Sequence, residues 1–213
     1  MFKRALMATA IASAAASSQA GTLLSESFKN VSALAGSGWV LNNQSTPGGT
    51  TNWYQGDAGI FAAQAGPAES YAAANYNNAP VGGTISNWLI TPTFSTELGG
   101  TVSFWAKGDI FDGFSDHLAY GLSSTGGSNT GDFTLGSAVT VSGDWTLYTL
   151  AYGANGVGSS ARFAIVYTGE ADLSNYVGVD TLTVTSVPEP SSMLMLGAGL
   201  LGLTAFSRRT SKR

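Results

Sequence analysis

Apolar and polar positions alternate with a period of two through most of the chain between residues 21 and 187. In Thr101–Lys107, Val102, Phe104 and Ala106 share one face. Leu118, Tyr120 and Leu122 alternate with Ala119, Gly121 and Ser123, and Phe163, Ile165 and Tyr167 alternate with Arg162, Ala164 and Thr168 around Val166. Trp145, Leu147 and Thr149 alternate with Thr146, Tyr148 and Leu150, so that run is half apolar on both sides. Such runs, rich in aromatic and β-branched residues, predict strands. Gly48-Gly49, Gly82-Gly83, Ser123 to Gly131 and Gly153 to Gly158 supply turns between them. Nothing in this middle region keeps a 3.6-residue period for three turns. The pattern predicts a single all-β domain, a β-sandwich of roughly eight to eleven short strands. Near its end, Val177 and Val179 sit on one phase, and Leu182 and Val184 on the other. Either a bulge at Asp180-Thr181 or a strand buried on both faces accounts for the slip.

The two ends read differently. Lys3 and Arg4 precede an apolar stretch from Ala5 to Ala16, and Ser18-Gln19-Ala20 has the small residues of a signal peptidase site. Residues 1–20 are therefore expected to be a signal peptide, cleaved after Ala20. At the other end no charge occurs in the 18 residues between Glu189 and Arg208. As a helix that gap spans roughly 27 Å, close to a bilayer core of about 30 Å. Arg208, Arg209, Lys212 and Arg213 follow as a membrane stop. The positive-inside bias keeps them cytoplasmic and the preceding domain outside. The expected organisation is residues 1–20, 21–187 and 188–213, the last containing a transmembrane helix.

Composition narrows the chemistry. The 213 residues include 28 Gly, one His and no Cys, so disulfides, thiolate metal sites and a multi-His site within one chain are excluded. The middle holds three basic residues, Lys29, Lys107 and Arg162, against twelve acidic ones. It is thus more acidic than the net −4 of the whole chain, and it repels nucleic acid and anionic lipid. Asp116-His117 is the one His–acid neighbour pair, but consecutive strand residues diverge, and no nucleophile elbow is present. No catalytic residue is assigned, and the protein is read as a non-enzyme. Carboxylates Glu26, Glu69, Asp109, Asp112, Asp116 and Asp180 leave a glycoside hydrolase as a minor alternative. Trp88 lies within an apolar strand and reads as core. Trp105, out of phase with Val102 and Phe104, is the better candidate for an exposed ligand-binding aromatic, with Trp53 the second.

Val187-Pro188-Glu189-Pro190, the apolar span and the basic tail together resemble the PEP-CTERM sorting signal of Gram-negative bacteria. That resemblance implies processing by an exosortase near the Pro-Glu-Pro strip and an extracellular, biofilm-associated fate. The membrane holds the chain through the C-terminal helix before processing. The two prolines cannot continue a helix or donate ladder hydrogen bonds, which keeps the strip extended.

The middle carries Ser25-Glu26-Ser27-Phe28, Gly38-Trp39, Asn52-Trp53-Tyr54, Ser70 to Tyr76, Ile85-Ser86-Asn87-Trp88-Leu89-Ile90-Thr91-Pro92 and Gly178 to Val184. These strips resemble the choice-of-anchor J family, related to cleaved-adhesin and MAM-type jelly rolls. The resemblance implies a jelly-roll-like sandwich, displayed at the surface and without enzymatic activity. Related jelly rolls tie their first and last strands with Ca²⁺, using an acid from each. Glu26 and Asp180 match those positions, with Glu69 a third and Asn75 or Asn87 as helpers. Asp109, Asp112 and Asp116 resemble a Ca²⁺ loop only loosely, because their spacing is not that of an EF-hand. The expected function is adhesion or matrix display, with extracellular polysaccharide as a partner. The alternative is a carbohydrate-binding module or weak glycanase on the same scaffold.

Overall fold

The alternation seen in the sequence becomes two stacked antiparallel sheets. The computed structural model describes residues 20–187. The strands are β1 (Gly21–Glu26), β2 (Val40–Asn43), β3 (Tyr54–Gln55), β4 (Ala72–Asn75), β5 (Thr84–Ile90), β6 (Phe94–Ser95) and β7 (Gly100–Gly108). They continue with β8 (His117–Ser123), β9 (Thr134–Leu135), β10 (Val139–Thr140), β11 (Thr146–Tyr152), β12 (Ser160–Glu170) and β13 (Tyr176–Ser186). The first sheet has the order β11-β7-β13-β4-β3, with β1 also paired to β13; the second has β10-β8-β12-β5-β2, with β6 on β12 and β9 on β8. This is the expected all-β sandwich, in thirteen strands rather than eight to eleven. The excess comes from the two-residue pairings β3, β6, β9 and β10, which are too short to leave a period in the sequence.

Strand β7 shows how the pattern folds. Gly100, Val102, Phe104, Ala106 and Gly108 are buried while the residues between them are not. Phe104 stacks on Tyr148 with ring centroids 5.4 Å apart, and meets Tyr120 edge-on at 5.2 Å and Phe163 at 5.7 Å. These rings come from β7, β11, β8 and β12, so one cluster fastens both sheets. Each such pair is worth about 0.5–1.5 kcal/mol beyond its area burial.

Two irregular segments cover the outer faces. Residues 56–70 lay Phe61 on the first sheet, where its ring stacks on Tyr71 at 5.0 Å. Gly178 makes room for them, since a Cβ there would stand 2.8 Å from both Phe61 Cε2 and Tyr71 Cδ2. Residues 124–138 lay Phe133 over Trp88 of β5 at 5.6 Å. Gly121 lets β9 approach, because any Cβ there would collide with the Thr134 carbonyl. The central strands β5, β12 and β13 are consequently buried on both faces along part of their length.

Both readings of the phase slip in β13 hold together. Its first half is buried on both sides, and its pairing with β7 shifts between Asp180 and Thr183. Thr181 sits at φ 47° in the left-handed region, the backbone signature of the extra residue. The bulge falls where the neighbour of β13 changes from β4, paired as far as Val179, to β1, paired from Leu182.

Strand β13 ends beside β1, with Gly21 opposite Ser186. Val187 leaves that end, its N–H donating to the Gly99 carbonyl at 2.7 Å. The expected signal peptide, the Pro188-Glu189-Pro190 strip, the membrane helix and Arg208, Arg209, Lys212 and Arg213 lie outside the described residues. Among the described residues no helix is long and apolar enough to cross a membrane.

Candidate functional site

The acids expected to hold Ca²⁺ do not form a ligand set among the described residues. Asp180 is 0% exposed. Its Oδ2 accepts the Ala65 N–H at 3.0 Å and its Oδ1 accepts the Thr181 N–H at 2.6 Å. Burial pushes this carboxyl above its ordinary range, and the N–H donors oppose that shift. Glu26 turns back on its own chain, with Oε1 accepting the Phe28 N–H at 2.7 Å. Glu69 is exposed, and its carbonyl accepts from Gln55 Nε2 at 2.6 Å. The same Nε2 donates to the Phe28 carbonyl at 2.9 Å, while Gln55 Oε1 accepts the Val31 N–H at 2.9 Å.

The point where two carbonyls converge is therefore filled by an amide donor, which is the opposite of what a cation needs. Asn75 Oδ1 is taken by Thr51 Oγ1 and the Asn77 N–H, and Asn87 is enclosed in the core at 0% exposure. Among the described residues no three His, Cys, Asp or Glu side chains gather as a metal group. The residues present do not fit the calcium tie; Gln55 instead joins the Phe28–Val31 segment after β1 to the Glu69 carbonyl. Sequence reasoning overlooked Gln55 because its partners are backbone groups, which carry no residue-type signal.

The aromatic candidates separate as well. Trp105 lies half-buried on the outward face of β7, between Leu147 and Asp180 in register, as its phase indicated. Trp53 does not join it. It is 4% exposed, belongs to the interior cluster and donates Nε1–H to the Asn87 carbonyl at 3.2 Å. An edge groove of about 520 Å³ runs past it, lined by Val31, Ala35, Leu41 and Tyr54.

Asp116 and His117 are not consecutive strand residues, because Asp116 lies in the loop just before β8. His117 is half-buried at the start of β8. Asp116 is buried, and its carboxylate accepts from the Tyr167 hydroxyl, from Asn175 N–H at 2.8 Å and from Tyr176 N–H at 3.2 Å. Its oxygens are occupied in joining the β7–β8 loop to the β12–β13 turn. Burial and the neighbouring Asp116 charge push the Tyr167 phenol far above its ordinary range.

That joint underlies a surface with no counterpart in the sequence reading. The loops β4–β5, β7–β8 and β12–β13 meet at the end of the sandwich away from Ser186. There, Tyr76, Phe111 and Phe114 with Asp109, Asp172 and Asn175 line a cavity of about 380 Å³. A second cavity of the same size adjoins it, sharing Tyr76, Ala171 and Asp172 and continuing past Pro80 and Val81. Asn175 Nδ2 donates to the Asp109 carbonyl at 2.8 Å and to Asp109 Oδ2 at 3.1 Å. Ser115 N–H donates to the Leu173 carbonyl at 2.7 Å, and Gly82 N–H to both Asp172 oxygens at 3.1 Å. Phe111 and Phe114 flank a turn closed by Phe114 N–H to the Phe111 carbonyl at 3.0 Å, with Gly113 at φ 85°. Only glycine takes that position without strain.

Comparisons with known proteins agree with the fold and with the C-terminal strip. Residues 186–209 match the PEP-CTERM protein-sorting motif, which implies exosortase processing, export and membrane-associated sorting. No curated protein matches the chain. Among solved structures, the K3 cleaved adhesin domain of Lys-gingipain from Porphyromonas gingivalis W83 is similar at TM-score 0.60 and 20% identity, over 79% of this chain and 100% of that one. The K1 domain of the same protein is similar at TM-score 0.59 and 22% identity, over 78% and 99%. The K2 domain gives TM-score 0.55 and 20% identity, over 79% and 98%. The chain carries a PEP-CTERM sorting motif behind a β-sandwich with the fold of these cleaved adhesin domains.

Proposed function

We propose that this protein is a non-catalytic adhesion module, exported and displayed at the cell surface after its tail is processed. The observation that carries the proposal is the sorting motif at residues 186–209 behind a self-contained sandwich. A sorted tail delivers its domain, and the domain's own surface then does the work. The two buried carboxylates, Asp116 and Asp180, are both engaged by hydrogen bonds that hold the fold. This supports binding rather than proton transfer as the domain's business. The strips that resemble the choice-of-anchor J family point the same way. A carbohydrate-binding reading retains one supporting feature, the outward Trp105 beside the exposed Leu147. A polysaccharide matrix is the setting in which such a platform is useful.

The test is to express the full chain and a version ending at Val187 in a host with an exosortase. The full chain is expected on the cell and the shortened one in the medium. Retention of the shortened chain on the cell overturns the proposal.

A further inference from the structure

We propose that the loop end of the sandwich is a docking site for a cationic side chain, a guanidinium or ammonium group presented by a partner protein. This names the partner chemistry of the adhesion module and rests on that reading. Three aromatic rings are held out of the core here. Phe111 is 63% exposed, Tyr76 47% and Phe114 41%, and all three line one cavity. Phe111 and Phe114 stand 5.8 Å apart, with their ring planes tilted by 54°. Ile110 and Leu173 add exposed apolar surface in the same loops. Apolar side chains kept exposed on a hydrogen-bonded loop frame mark a contact surface.

Charge selects the occupant. The ionisable carboxylates in the lining are Asp109 and Asp172, and Asp112 sits in the turn between the two phenylalanines. Among the described residues the basic side chains are Lys29, Lys107 and Arg162, and none lines the cavity. Lys107 stands over the Phe61 ring at 5.1 Å, and Arg162 donates to the carbonyls of Gly38, Thr91 and Gly126. The acids at the loop end are thus free of a basic partner from these three. An aromatic face attracts a cation within about 6 Å of its centre. A carboxylate beside it adds a charge-assisted hydrogen bond. Two acids and three rings around about 380 Å³ suit one long basic side chain. The same acids repel phosphate, sulfate and uronic acids.

The framework is set before binding. Asn175 fixes Asp109, Gly82 N–H fixes Asp172, and Asp116 underneath holds the backbone of Asn175 and Tyr176. Little ordering is left to be done on contact, which favours affinity.

The test uses the full chain solubilised in a neutral detergent. The probes are a nonapeptide rich in arginine, its citrulline counterpart, and a neutral hexasaccharide of glucose, each followed by calorimetry. The arginine peptide is expected to bind and to weaken with added salt. Asp172→Asn and Phe111→Ala are each expected to weaken it about tenfold. Both side chains are exposed, and an unchanged melting temperature verifies the fold. Glu97→Gln, on an exposed acid outside this cavity, is expected to leave binding unchanged. Equal binding of the citrulline peptide, equal loss in Glu97→Gln, or binding of the hexasaccharide alone each overturns the proposal. None of these results touches sorting, which the shortened chain tests separately.

Discussion

Removing the Asp116 carboxylate is the most informative perturbation of the loop end. Asp116→Ala deprives three donors of their acceptor: the Tyr167 hydroxyl, Asn175 N–H and Tyr176 N–H. Tyr167 and Tyr176 are buried, so water cannot replace the acceptor for them. A hydrogen bond to a charged group contributes about 1.5–3 kcal/mol net, and an orphaned buried donor costs about 1–3 kcal/mol. Two orphaned buried donors and one half-exposed one bring the loss to about 3–6 kcal/mol. That is a large share of a typical stability of about 5–15 kcal/mol. At about 2–4 °C per kcal/mol for a domain of this size, the melting temperature falls by roughly 6–24 °C.

Tyr167→Phe removes one donor and leaves the carboxylate with two, so a loss of about 1.5–3 kcal/mol is expected. The double variant should lose less than the sum, because the two residues share one interaction. The Tyr167 phenol is held far above its ordinary pKa by burial and by the Asp116 charge. Its stabilising contribution is therefore complete below about pH 10 and is lost as pH rises beyond that. The alkaline loss should be smaller in Tyr167→Phe. Thermal unfolding of the full chain in detergent, followed by near-ultraviolet circular dichroism, reads all three variants. A melting temperature for Asp116→Ala within about 2 °C of the parent, below the change expected of even 1 kcal/mol, refutes the reasoning.

Two further outcomes follow from the contacts of Gln55 and of Asp180. Melting temperatures in Ca²⁺ and in chelator should coincide, whereas Gln55→Ala should cost about 1–3 kcal/mol in either, since its amide satisfies the Phe28 and Glu69 carbonyls and the Val31 N–H; a rise in melting temperature on adding Ca²⁺ contradicts this account. The Asp180 carboxyl is raised by burial, so its favourable contribution is present when it is protonated and is lost as pH rises through its raised value. Guanidinium unfolding between about pH 7 and pH 4 should show the parent gaining on Asp180→Asn as pH falls, and a constant difference contradicts it.

The sequence exposed those parts of the molecule that repeat locally. Strands β7, β8, β11 and β12 follow from two-residue alternation, and the slip at Asp180-Thr181 marks the bulge that lets β13 exchange β4 for β1. The sorting strip is legible because its parts occur in a fixed order along the chain. Elements that depend on what folds over a strand were hidden. Trp53 is half of an ordinary Trp-Tyr pair in sequence, and only the stacking of the sheets encloses it. Phe61 and Phe133 sit in irregular segments without a period, so their covering of the outer faces leaves no pattern. The loop-end cavity joins residues as distant as Tyr76 and Asn175, and no local motif records that meeting. The surroundings of the acids were hidden for a related reason: residue type singled out Glu26 and Asp180, but not the backbone N–H groups of Phe28, Ala65 and Thr181 that donate to them.

The central claim is that the sandwich works outside the cell once its tail has been handled. The most direct measurement is antibody labelling of intact cells producing the full chain with a short epitope inserted after Val157, which is 90% exposed. The account predicts labelling of unpermeabilised cells, lost from the cells when the chain ends at Val187. Labelling of the full chain only after permeabilisation would contradict it.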